Sequence, residues 1–297
     1  MKYMLTFFPL IPTCFALIIL YAIAFGVKSY FRHKKRRSPF PEKFLRNPGE
    51  SLRKQIEKLN VDISCYAVCI IVIPMMLYST HISELYFRGI KESISHITST
   101  ILIGIIFISI FAVLLIKAVN KRRKLELGYD GELCVSQQLE LAVHSNTLIF
   151  NDFPCDNFNI DHIVVCLSGV FSIETKARRK PVSGNGRADA TVIFDGKSLK
   201  FPCWTETKPI NQAVMQAKWL SAYLSKAVGE SIAAQAVITL PGWYVERTGN
   251  YDLSVINPKN FPALLKKNVL SEEMIKRIAH QLDQKCRDVE PIAHYKK

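Results

Sequence analysis

Hydrophobic positions follow two rhythms along this chain, and the change falls near residue 120. Before it, apolar residues come in long blocks: Leu5–Val27, Ile63–Tyr78 and Ile101–Val119. A bilayer span takes roughly 20 predominantly apolar residues. The blocks therefore predict three transmembrane helices, about 5–27, 61–79 and 100–119. The middle one contains Pro74, tolerable where neighbouring helices compensate the backbone. After Lys121 the rhythm shortens. Leu127, Leu133, Leu139 and Val143 recur at helical spacing within Leu125–Val143. Thr147–Phe153, Ile160–Leu167 and Val170–Lys176 read as strands, the last two joined at Ser168-Gly169. Ala177–Ala190 is a loop rich in Arg, Lys, Gly and Ser. Thr191–Phe194 and Leu199–Phe201 read as a small hairpin over Asp195-Gly196. Pro209–Val228 has helical pattern, with Pro near its start and Gly229 past its end. Ile232–Leu240 and Leu253–Ile256 are apolar strands, and Phe261–Lys267 and Ser271–Lys285 are helices. The order predicts an α/β domain with a central mixed β-sheet flanked by helices. Two domains follow: a membrane anchor, 1–120, and a globular domain, 121–297.

Charge settles how the anchor should lie. The chain carries a formal +14, and the excess is uneven: 15 Lys/Arg against 6 Asp/Glu in residues 1–120, but 24 against 19 in 121–297. The loop from Lys28 to Lys58 holds eleven basic residues, and the 80–99 loop only Arg88 and Lys91. Basic loops stay in the cytoplasm. The expected topology has the N-terminus outside, the 28–60 loop inside, the 80–99 loop outside and the C-terminal domain cytoplasmic, at an inner (plasma) membrane. Within the basic loop, 38–50 reads as irregular and Ser51–Leu59 as a short charged helix, with membrane lipid as a natural contact. A cleaved signal peptide ending near Ala22-Ile23-Ala24 competes for the first block. Its length and the basic cluster after it favour an uncleaved anchor. The eight cysteines form no CxxC and no zinc-like spacing, so neither a zinc site nor a disulfide framework is expected.

The chemistry concentrates in Ile160–Lys176, IDHIVVCLSGVFSIETK. If Ser168-Gly169 is a two-residue loop, Leu167 pairs with Val170 and Asp161 with Lys176. Alternation puts Glu174 and Lys176 on one face, and pairing adds Asp161 to it. Two carboxylates and an ammonium then share one patch, a donor set that suits Mg²⁺ or Mn²⁺. The bland alternative is a set of solvated charges on an edge hairpin. His162 falls on the opposite face, where packing is the expected role. Arg178-Arg179-Lys180 follow at once and would suit phosphate contacts, or remain merely solvated. Trp204, Trp219 and Trp243 are too dispersed for a stacking platform and default to core or interface.

These residues, in this order, resemble the NERD (nuclease-related domain) family, a branch of the PD-(D/E)xK nuclease superfamily with the restriction-endonuclease-like fold. Gly128-x-x-Gly131-Glu132 is similar to the family's GxxGE opening, and Ile160-Asp161-His162 to its hydrophobic-Asp-His motif. Gly169 to Lys176 is close to its GxxxIExK motif. Pro209-x-x-Gln212 resembles NPxxQ, with Lys208 where Asn is usual. The resemblance covers about 122–240. It implies that Asp161, Glu174 and Glu132 hold a divalent metal and that Lys176 acts on water or phosphate. Gln212 would orient them. Glu132 and Gln212 each also have a plain reading as polar residues near a helix start.

The expectation is a membrane-anchored, Mg²⁺- or Mn²⁺-dependent nuclease acting on DNA, less readily RNA, at the cytoplasmic face. The rival is a catalytically inactive nuclease-fold module that binds nucleic acid or a protein partner there. Self-association is left open. A transporter or channel fits poorly, since no charge sits in the middle of any apolar block.

Overall fold

A computed structural model describes residues 10–33, 39–40, 42–89, 93–142, 147–181, 186–265 and 267–291. They fall into two compact units. One takes in residues up to 41 together with Ile56–Arg123; the other takes in Glu42–Gln55 and Lys124–Pro291. The expected boundary near 120 therefore needs one correction. Glu42–Gln55, assigned by sequence to the basic loop of the anchor, belongs to the globular unit.

The first unit is helical. It contains α1 (Leu10–His33), most of α2 (Glu50–Arg88) and the first part of α3 (Ile94–Ala142). Pro74 lies inside α2. A Cβ on Gly104 of α3 would stand 3.8 Å from Leu77, and Phe111 approaches Tyr66 at 6.2 Å between ring centroids. Three spans were expected; among the described residues two helices are long and apolar enough to cross a membrane. They are Glu50–Phe87, with a mean hydropathy of 2.0 in its most apolar stretch, and Ile94–Ala142, with 2.9. The apolar stretch found in α1 is the shorter Ile18–Val27. Residues 5–9 of the expected first span lie outside the described residues. Ile101, Leu102, Ile105 and Ile106 are exposed, a surface that water would not favour.

The second unit is the α/β domain. A two-residue strand, β1 (Phe44–Leu45), precedes α2. The distal part of α3 leads into β2 (Leu148–Pro154), β3 (Asn159–Cys166) and β4 (Gly169–Thr175). Then come β5 (Thr191–Phe194), β6 (Leu199–Lys200), β7 (Thr205–Glu206) and α4 (Lys208–Val228). β8 (Ala234–Thr239), β9 (Tyr244–Arg247) and β10 (Ser254–Ile256) follow. A 3₁₀ segment, Pro258–Leu264, replaces the helix expected at 261–267. The chain continues through α5 (Glu272–Cys286), capped by Ser271, to β11 (Arg287–Val289).

Five strands form the central sheet in the order β10-β8-β4-β3-β2. β2, β3 and β4 are antiparallel, while β4, β8 and β10 run parallel. This is the expected mixed sheet. α4 and α5 cover one face, where Leu220, Leu224, Ile278 and Leu282 pack on Ile163, Val165 and Val170. Val135 and Leu139 of α3 and Phe261 cover the other, against Val164, Phe171 and Ile173. Short strands β7-β6-β5-β9 make a second sheet, of which the sequence revealed only the β5–β6 hairpin. Its core joins Phe194, Leu199 and Trp243 to Ile238 and Ile210.

The hairpin register differs from the expectation by two residues. Cys166 pairs with Gly169, so Leu167 and Ser168 form the turn and Gly169 already opens β4. Continuing from the His162–Ile173 pair sets Asp161 opposite Glu174 rather than Lys176. A shift of two preserves the face of every side chain.

Candidate functional site

The site starts from β4, buried along its whole length because helices cover both faces of the sheet. Glu174 is 1% exposed, and a carboxylate at that depth needs partners. Lys176 Nζ donates to Glu174 Oε1, and Gln216 Nε2 donates to Oε2 at 2.6 Å. Lys176 also donates to Gln212 Oε1 at 3.1 Å. Gln212 and Gln216 stand one turn apart on α4, the spacing that puts two side chains on one face. That face meets the sheet because Ala213, Ala217 and Leu220 carry it into the core. Gln216 also donates to the Asn159 carbonyl at 3.1 Å.

Asp161, at the open end of β3, is half-buried. Its Oδ2 accepts from the Thr175 amide at 2.7 Å. Glu132 comes from α3 and is 8% exposed. Gly131 beside it permits close approach: a Cβ there would stand 2.6 Å from the Ala177 Cβ, just past Lys176. Glu132 Oε2 is buried without a partner.

These carboxylates repel one another. Burial, then the charges of Glu174 and Glu132, hold Asp161 well above the usual carboxylate range; the Thr175 amide and Lys176 pull it back only partly. Burial, then Asp152 and Glu174, push Glu132 up to about 8. Such crowding is the environment a divalent cation relieves. Among the described residues no three His, Cys, Asp or Glu side chains close into a ready metal cage. Mg²⁺ does not need one, since it takes one or two carboxylates and keeps several waters. The oxygen donors and the orphaned Oε2 of Glu132 fit such an ion.

His162 lies on the far face as expected, fully buried, with Nδ1 donating to Asn151 Oδ1 at 2.7 Å. Burial holds it neutral, with its pKa lowered to about 3. The basic run splits. Arg178 turns to Glu206 in a two-pronged ion pair of 2.7 and 2.8 Å, and Trp204 Nε1 donates to the same carboxylate. Lys180 lies 5.9 Å from the centre of the Trp243 ring, and Arg179 is exposed. Arg178 is thus already neutralised, whereas Arg179 and Lys180 face outward. Trp204 and Trp243, distant in sequence, approach to 6.2 Å, with Phe201 stacked on Trp204. Trp219 instead stacks on Tyr223.

Sequence reasoning missed Gln216, although its spacing from Gln212 was a usable signal. It also missed Arg46 and Ser51, from a distant part of the chain, and Asp152 and Asn159, which join them in one hydrogen-bonded group with no local signature.

The mixed sheet thus carries a carboxylate–lysine hairpin at its centre, and the preceding helix delivers a glutamate to it. Residues 127–241 match the model of the NERD family, the nuclease-related domain. The match includes Glu132, the whole hairpin, Gln212 and Gln216. No curated protein and no solved structure matches the chain.

Proposed function

We propose that this chain is a membrane-anchored, divalent-metal-dependent nuclease that hydrolyses phosphodiester bonds in DNA, and RNA less readily. The observation that carries this reading is the crowding of Glu132, Asp161 and Glu174 around a single ammonium inside a nuclease-related domain. Asp161 and Glu174 would hold Mg²⁺ or Mn²⁺, with Glu132 as a direct or water-linked ligand. Such an ion supplies an activated water and counter-charge for the phosphate. Lys176 places a positive charge where a substrate phosphate oxygen would gain negative charge. Gln212 fixes that ammonium by accepting a hydrogen bond from it. Gln216 fixes Glu174 and, through Asn159, ties it to the end of β3. Arg179 and Lys180 would meet the substrate backbone.

The anchor would comprise the two long apolar helices, Glu50–Phe87 and Ile94–Ala142, with the domain at the cytoplasmic face. The eleven basic residues of 28–58 support that orientation. Cysteine labelling at the 80–99 loop and at Lys297 tests it, and an external C-terminus overturns it.

One observation favours the non-catalytic alternative: both oxygens of Glu174 are taken, by Lys176 and Gln216. A nuclease must release at least one of them to a metal; a binding module need not. The deciding experiment uses the full chain in nanodiscs with linear, circular and single-stranded DNA, in Mg²⁺, Mn²⁺ or EDTA. Metal-dependent cleavage is expected. DNA binding without turnover would leave the binding module, and cleavage that persists in EDTA would remove the metal mechanism.

A further inference from the structure

The segment Arg46–Ser51 precedes α2 and lies far outside the family-matched residues, yet it reaches the carboxylate cluster. Its backbone is locked to the C-terminal end of the domain. β1 pairs with β11, and the Arg46 amide donates to the Cys286 carbonyl at 3.2 Å. The Arg46 guanidinium grips Asp288 at 2.8 and 2.6 Å. Its third nitrogen donates to the Asp152 carbonyl at 3.1 Å and to Asp152 Oδ2 at 3.2 Å. Ser51 adds two donors to that same oxygen, its amide at 2.8 Å and its hydroxyl at 2.6 Å.

From Asp152 a polar chain continues to the site. Asn159 Nδ2 donates to Asp152 Oδ1 at 3.0 Å and to Ser51 Oγ at 2.6 Å. The Asn159 carbonyl accepts from Gln216, whose same nitrogen holds Glu174. A second route runs through packing. The helix that carries Glu132 is shaped to receive this segment. Tyr129 packs so closely that a Cβ on Gly49 would stand 2.6 Å from its ring, and a Cβ on Gly128 would stand 3.2 Å from Leu52 Cδ1. Gly49 is buried at φ +65°, a conformation that favours glycine.

We infer that Arg46–Ser51 is a positioning element of the candidate site: it sets the helix that carries Glu132 by packing Gly49 on Tyr129, and Glu174 through the Asp152–Asn159–Gln216 chain. In its metal-binding aspect this rests on the nuclease reading above. Outer partners of metal ligands commonly govern metal affinity, and here they come from a segment that lies between two apolar helices in sequence.

The test compares Ser51→Ala, Arg46→Ala and the conservative Ser51→Thr in the full chain, with Arg277→Ala as a control that breaks an exposed pair with Glu230. Mn²⁺ titration and hydrogen exchange are read on the same preparations. Ser51→Ala and Arg46→Ala should weaken Mn²⁺ binding by about 10- to 100-fold. They should also speed exchange in peptides covering 127–133 and 150–161 by about tenfold. Ser51→Thr should restore both, and the control should change neither. If Arg46→Ala fails to fold, Ser51→Ala decides, since it keeps the backbone amide on Asp152. Unchanged exchange in Ser51→Ala overturns the inference. Faster exchange with unchanged Mn²⁺ affinity also overturns it, leaving a purely structural segment. A wild-type chain that binds no Mn²⁺, while Ser51→Ala still exchanges faster, would fell the metal reading and leave the positioning of the carboxylates standing.

Discussion

Asp152 on β2 and Asp161 on β3 stand opposite each other, as the flanking pairs Asn151–His162 and Phe153–Ile160 require. The domain treats them in contrary ways. Asp152 accepts from Ser51 twice, from Arg46 and from Asn159. It also sits at φ +47°, the one non-glycine among the described residues with positive φ. Asp161 accepts from the Thr175 amide and otherwise faces Glu174 and Glu132. Burial raises both carboxyls. Donors then pull Asp152 back, while like charges push Asp161 further. A saturated carboxylate frames a structure. A crowded one with few donors holds free energy that a cation can release.

The largest expected effect is on chemistry at the crowded corner. Lys176→Ala should lower turnover by about 10²–10³-fold, the scale of losing one preorganised charge-stabilising donor, while Mn²⁺ binding survives. Glu174→Gln should abolish both turnover and metal binding, because it removes a ligand charge and keeps the shape. Calorimetry and cleavage assays on the same preparations separate catalyst from ligand. Full cleavage by both variants would dissolve the distinction.

Stability should split the two aspartates next. Asp152→Asn presents an amide to four donors that only a carboxylate can satisfy, and it leaves Arg46 without half of its counter-charge. A loss of about 2–4 kcal/mol is expected. Asp161→Asn can keep its oxygen on the Thr175 amide and removes repulsion, so stability should hold or rise by about 1 kcal/mol. Chemical denaturation of the metal-free full chain measures both. Equal losses would mean that Asp161 is also part of the frame.

Acidity sharpens the comparison. Glu132 keeps its proton in the native state up to about pH 8, against about 4.5 when unfolded. Between those values the native state binds more protons. The stability it contributes is full below 4.5 and is lost as pH rises through 8. His162 acts in the other direction: the unfolded histidine charges below about 6.5, the native one only near 3. Stability therefore also falls as the solution is acidified through that window. Melting curves of the metal-free chain should show a maximum on the acid side of neutrality. Glu132→Gln should flatten the alkaline limb alone, and Mn²⁺ should do the same by replacing the proton. An alkaline limb unchanged in Glu132→Gln would show that other groups dominate it.

Much of this corner was legible before the structure. Strand alternation placed Asp161 with Glu174 and His162 opposite them, and an error of two in the turn left those faces intact because the period of a strand is two. Glu132 and Gln212 came through family resemblance. Arg46, Ser51 and Asp152 did not come at all. Their association joins residues far apart in sequence through one arginine fork, and neither alternation nor helical periodicity registers such a pairing. Pro48-Gly49 could be read as irregular, but not as the turn that seats Gly49 against Tyr129, on the helix that carries Glu132. β9 was lost for a related reason: its only exposed-face signal is mixed, and it exists because β5 pairs with it in parallel.

The smallest effect is expected at Gln216, the link between the two corners. It is fully buried, donates to both Glu174 and the Asn159 carbonyl, and leaves its own Oε1 without a partner. A glutamine placed only for packing would be poorly chosen there, since a leucine would fill the space with no orphaned oxygen. Gln216→Leu should therefore cost only about 1 kcal/mol in stability, the lost bonds being partly offset by the removed orphan. Its mark should appear in metal binding. With Glu174 released from Asn159, Mn²⁺ affinity should fall about tenfold, and turnover should recover at saturating metal because Lys176 and Gln212 are untouched. Affinity equal to wild type would make Gln216 a core residue and cut the frame off from the site. Turnover that stays low at saturating metal would place Gln216 beside Lys176, in the chemistry itself.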